Sequence, residues 1–165
     1  MIRHFQFEDE LHASLACVPM PVRRKLDRVG LKVGLEQWRA LSNGERLAIC
    51  HLPADEVDEC NAMTVFVREA VARRVGSEPK TLSEEQRAIA EPPTTPPSVL
   101  ATRAKDNGFI LDAEAWSKFD GDQRYALMKL GAGDKVSHNL KAALEEFFNG
   151  SLSVPAPGPD CKARW

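Results

Sequence analysis

The chain has 165 residues, 43% of them hydrophobic and 28% charged, which excludes wholesale disorder and allows a buried core. A formal net charge of −2 gives no general attraction to nucleic acid or anionic lipid. No apolar run reaches the roughly 20 residues that cross a bilayer. Glu8, Asp9, Glu10 and His12 interrupt the stretch where an export signal would lie, so a cytoplasmic protein is expected, without membrane or nucleic-acid partners. In that compartment Cys17, Cys50, Cys60 and Cys161 are expected as reduced thiols. They form no CxxC pair and match no zinc spacing, so neither metal nor cofactor is expected.

In chain order, the first predicted helix covers residues 21–29. Val22, Leu26 and Val29 lie on one face at i, i+4 and i+7, with Arg23, Arg24, Lys25 and Arg28 on the others. Gly30 follows as a left-handed stop. Residues 35–41 form a short helix presenting Trp38. Ser42 and Glu45 then make a capping box, and the helix they open puts Leu47 and Cys50 on one face. The longest helix is expected over 55–75, with Val57, Cys60, Thr64, Val67 and Val71 as its apolar stripe and Gly76 as its stop. Ser83 and Gln86 echo the capping signal.

Residues 91–97 contain four prolines and read as an extended connector. A helix follows at 98–107, then Gly108, then a short helix at 113–119 presenting Trp116. Asp120 and Gln123 form a second capping box, whose helix puts Tyr125 and Met128 on one face. A last helix is expected at 136–148, carrying Leu140, Leu144, Phe147 and Phe148. Residues 30–35 and 108–113 alternate in polarity, but pairing between them is not expected. Three prolines and a glycine mark 151–165 as a flexible tail.

The strongest internal signal is a repeat. Trp116 follows Trp38 by 78 residues, and at that offset Gly30/Gly108, Glu36/Glu114, Arg46/Arg124, Ala48/Ala126 and Leu52/Leu130 are identical without a gap. Pro19 and Pro97 fall at the same offset. The expectation is an all-α fold: a compact multi-helix domain over residues 1–150 made of two duplicated helical modules, about 19–76 and 97–149.

The repeat separates structural residues from binding candidates. Trp38 and Trp116 are expected in the core. Arg46 and Arg124 each need a partner, either Glu36 or Glu114 or the carbonyls at a helix end. Ser42 and Asp120 are caps. Cys50 has Met128 as its counterpart and is expected to pack as a small hydrophobe, as is Cys60. The binding candidates are Cys17, Arg23, Arg24, Lys25 and Arg28. The thiol sits at a helix entrance near arginines, where it can be activated. The cations can hold phosphate or dock an acidic surface; the alternative is a solvated face. The equivalent helix of the second module offers only Arg103 and Lys105, an asymmetry that argues against nucleic-acid binding. The four histidines show no helical pairing, and no phosphate loop, dinucleotide fingerprint or zinc-protease helix occurs, so no catalytic residue is assigned.

Several strings carry a resemblance: Phe5-x-Phe7-Glu8, then Ser14-Leu15-x-Cys17-Val18-Pro19-Met20-x-Val22-Arg23-x-Lys25-Leu26-Asp27, then Gly30-Leu31-Lys32 with Trp38 and Glu45-Arg46. In these, and from Gly108 to Leu130, the chain resembles the bacterial nitrate reductase-associated protein family over about residues 5–148. The resemblance implies a non-enzymatic accessory or adaptor protein of nitrate assimilation, binding nitrate reductase or a molybdenum-cofactor delivery protein. It brings no catalytic or binding residues with it. The alternative is a small-molecule or metal-binding regulatory protein using Cys17 and the basic helix 23–28.

Overall fold

The computed structural model describes residues 3–9 and 14–150. The expected tail at 151–165, with Cys161, lies outside the described residues. A 3-10 turn (Gln6–Glu8) precedes nine α-helices among those residues: α1 (Met20–Arg28), α2 (Leu35–Ala40), α3 (Asn43–His51), α4 (Val57–Val75), α5 (Glu84–Ala88), α6 (Ser98–Asp106), α7 (Ala113–Lys118), α8 (Gly121–Gly131) and α9 (Leu140–Gly150). The fold is helical as expected. Among the described residues the extended structure is one two-stranded antiparallel ladder of β1 (Leu31–Lys32) and β2 (Lys80–Thr81).

Local chemistry places the helix ends. Ser42 Oγ accepts from the Glu45 N–H at 3.2 Å, while the Glu45 carboxylate accepts from the Ser42 N–H at 2.7 Å. Asp120 accepts from the N–H groups of Asp122 and Gln123, and the Gln123 side chain accepts from the Asp120 N–H. Both boxes satisfy amides that the first helical turn leaves without partners. The echoed signal at Ser83 and Gln86 is a third box, opening α5. Gly30 and Gly108 take left-handed φ values of 76° and 87° directly beyond α1 and α6, where a side chain would be strained.

Elements of the first half recur along the second. Helices α6, α7 and α8 begin 78 residues after α1, α2 and α3, and the first two pairs also end in step. The halves then diverge. Leu31 and Lys32 pair with Thr81 and Lys80, while no strand forms at 109–112.

Each half has its own apolar cluster. One gathers Leu26, Leu31, Ile49, Met63 and Val67 around Trp38; the other gathers Leu100, Leu127, Leu140 and Leu144 around Trp116. Phe5 crosses from the N-terminal segment into the second cluster, edge-on to Phe147 at 4.9 Å. Helix α1 lies against α8, so the seam between the clusters runs along the helix with the basic residues.

Three details differ from expectation. Helix α4 starts at Val57, which is 75% exposed; Val67 and Val71 are buried and Cys60 packs against the first cluster as expected, while Met63 and Ala70 complete the inward face. Leu47 is 45% exposed although its counterpart Tyr125 is fully buried, because α8 is covered by α1 at that position. The last helix begins at Leu140, four residues late. Ser137 N–H instead bonds the Leu130 carbonyl at 2.8 Å and turns the chain, leaving Val136 exposed.

Candidate functional site

The two tryptophans singled out as structural sit at the centres of the halves. Trp38 and Trp116 are both fully buried. A buried indole N–H needs an acceptor. Trp38 donates to the Leu15 carbonyl and Trp116 to the Pro93 carbonyl, each at 2.8 Å and each across 23 residues of chain. The connector thus fixes the second tryptophan, as the segment before α1 fixes the first. Arg46 donates to the carbonyls of Leu41 and Leu15, and Arg124 to those of Trp116 and Ser117. Of the two expected kinds of partner, both arginines take helix-end carbonyls; Glu114 pairs with Lys118 instead. Leu15 is the one non-glycine residue with positive φ (48°) among the described residues. Two donors on its carbonyl hold it in that sparsely populated region.

Helix α1 divides the basic candidates. The Lys25 ammonium donates to the carbonyls of Ile49 (3.2 Å), Cys50 (2.8 Å) and Leu52 (2.6 Å), which use all three of its hydrogens and close the C-terminus of α3. Burial holds its pKa below the ordinary lysine value. Arg24 donates to the Ala90 carbonyl (2.7 Å), Asp122 (3.0 Å) and Glu91 (3.3 Å). Arg28 donates to Glu91, the Ala54 carbonyl and Asp55, all within 2.9 Å. These three cations line one recess of about 290 Å³ with Arg3, whose partners are Asp120 and Asp122. Arg3, Arg24 and Arg28 are answered by Asp55, Glu91, Asp120 and Asp122, while Lys25 spends its hydrogens on carbonyls. The recess is a network joining the halves in which each of the four cations already has a partner within the chain.

Arg23 and Cys17 are not part of that lining. Cys17 is half-buried, two residues before the Pro19 cap of α1. Cys50 is buried, and burial pushes its thiol pKa up, the reverse of activation. Cys60 is half-buried and its thiol donates to the Ala54 carbonyl at 3.4 Å. No group of three or more His, Cys, Asp or Glu comes together in metal-binding geometry among the described residues. No helix among them is long and apolar enough to cross a membrane.

Arg23 lines a second recess of about 280 Å³ on the other side of α1, with Val18, Leu26, Leu31, Lys32 and Lys129. Its inner wall holds a polar cluster that sequence reasoning missed. Asp27 is 8% exposed; its carboxylate accepts from the Tyr125 hydroxyl at 2.6 Å and pairs with Lys129 at 2.8 Å. Burial, reinforced by the Asp27 charge, pushes the Tyr125 phenol well above its ordinary pKa. The repeat offered no signal: it sets Lys105 against Asp27 and Leu47 against Tyr125, but equally unlike residues face each other elsewhere, as Lys32 and Ile110 do. Glu8 was also missed. It is buried, accepts the Met20 N–H at 3.1 and 3.2 Å at the start of α1, and burial pushes its pKa up to about 7.

A family model described as conserved nitrate reductase-associated protein matches residues 4–147, spanning both clusters and both recesses. No curated protein and no solved structure matches the chain.

Proposed function

Because the chain belongs to the conserved nitrate reductase-associated protein family, we propose that it is a non-enzymatic accessory protein of cytoplasmic nitrate assimilation. It docks on nitrate reductase or on a protein that delivers its molybdenum cofactor. The observation that carries this reading is the family match across residues 4–147. The chemistry of α1 supports it: Arg24, Lys25 and Arg28 point their donors at carbonyls and carboxylates of the same chain, where they hold helices together. Side chains used this way make a rigid body that presents a surface. The test is co-purification: tagged protein expressed in nitrate-grown cells of its own organism should recover nitrate reductase or a cofactor-delivery protein. Recovery of neither above an untagged control rejects the reading.

A further inference from the structure

We infer that the face formed by Arg23, Lys32 and Lys80 beside the apolar recess is the docking surface for an acidic segment of the protein partner, an inference that rests on the accessory-protein reading above. Three observations converge there. First, the side chains of Arg23, Lys32 and Lys80 are exposed, and none forms an ion pair with a carboxylate of the described residues. Their neighbours on α1, by contrast, are all paired. Glu78, two residues before Lys80, is held by Arg68.

Second, Lys32 and Lys80 are directly opposite partners in the β1–β2 ladder. Opposed side chains in an antiparallel pair lie on the same face, and like charges there destabilise the pairing. Folding alone favours an acidic residue at one of these positions. Third, the recess beside them is floored by Val18, Leu26 and Leu31, and Leu35 at its edge is 44% exposed. Asp27 within it is already bound by Lys129 and Tyr125, and the buried Glu8 carboxyl meets the charge of Arg23 only through space, so neither pairs directly with the outer cations. Unpaired cations around an apolar floor fit a segment carrying Asp or Glu next to an aliphatic or aromatic side chain. A nucleic acid backbone offers charge but no apolar anchor, and the protein as a whole is weakly acidic.

The experiment measures binding of purified nitrate reductase to the wild-type chain, to R23E/K32E and to R23Q/K32Q. Charge reversal should weaken binding at least about tenfold and neutralisation should fall between, with wild-type affinity decreasing as salt is raised. K32E alone faces Lys80 with an acid, so its melting temperature should equal or exceed wild type while its binding falls, which separates a lost surface from a lost fold. Binding unchanged in both double variants overturns the inference and leaves the accessory reading standing. Wild-type protein that binds neither nitrate reductase nor a cofactor-delivery protein overturns the reading itself. Duplex DNA bound more tightly than the enzyme, and released by the same substitutions, overturns the assignment of the surface to a protein.

Discussion

Asp27 sits at the seam between the two apolar clusters with Tyr125 and Lys129 as its donors. Removing only the hydroxyl in Tyr125→Phe keeps the ring and deletes one bond to a buried carboxylate. It should therefore cost about 1.5–3 kcal/mol in urea unfolding; a loss below about 0.5 kcal/mol would mean that water replaces the phenol. Glu8 makes a prediction of a different kind. Its folded pKa of about 7 lies above the ordinary value of 4.5, so the folded state holds the proton more tightly. The stability this brings is complete below about pH 4.5 and disappears as pH rises through 7. Wild type should lose up to roughly 3 kcal/mol relative to Glu8→Gln between pH 5 and pH 8, read from paired denaturation curves. A difference between the two proteins that does not change with pH would show that Glu8 stays ionised throughout. Neither residue stood out in the sequence. The donors to Asp27 are about a hundred positions away, and a carboxylate at residue 8 reads as an exposed charge until its place under α1 is known.

At the scale of elements, the signals that were legible are those whose physics is complete within a few residues. The capping boxes at Ser42 and Asp120, the glycine stops at Gly30, Gly76 and Gly108 and the fixed spacing of α1–α2 and α6–α7 all appear where the chain places them. What failed depends on the neighbour an element finds. The stripe of α4 loses its first member, Val57, to solvent and takes in Met63 and Ala70, and β1 pairs with a segment that carries no strand pattern of its own. The basic residues of α1 were legible as a cluster, but their division between a paired inner side and an open outer side needed partners from α3, α8 and the connector. Lys25 shows how strongly one element can depend on another. Lys25→Met keeps the aliphatic stem and removes every donor to the last carbonyls of α3, so it should cost about 2–3 kcal/mol. Gly131 tests packing in the opposite sense. A Cβ there would lie 2.6 Å from Leu100 Cδ1 and 2.9 Å from both Leu140 methyls. Gly131→Ala should therefore destabilise by about 1–3 kcal/mol despite the better helix propensity of alanine. Stabilisation by the substitution would show that the two leucines can move aside.

For the molecule as a whole, the governing feature is that two apolar clusters meet at a seam where Met20 packs on the second cluster and directed polar contacts run beside it: Arg24 with Asp122 and Asp27 with Tyr125 and Lys129. An apolar core couples its residues through burial, which fails gradually as atoms are removed. A polar seam couples two bodies through a few directed bonds, and loses most of that coupling when two of them go. With the seam intact the halves should unfold together. With Arg24→Ala and Tyr125→Phe combined they should separate into two transitions. Each half reports on itself, because Trp38 and Trp116 are each enclosed by their own cluster. Labelling with 5-fluorotryptophan gives each indole its own fluorine resonance, and Trp165→Phe removes the third signal. In wild type the two native resonances should vanish with one urea midpoint. In the seam variant the midpoints should part, with the weaker half unfolding while the other resonance keeps its native shift. Coincident midpoints in the variant would mean that Phe5, which joins the second cluster from the N-terminal segment, or the connector bonded to Trp116 couples the halves without the seam.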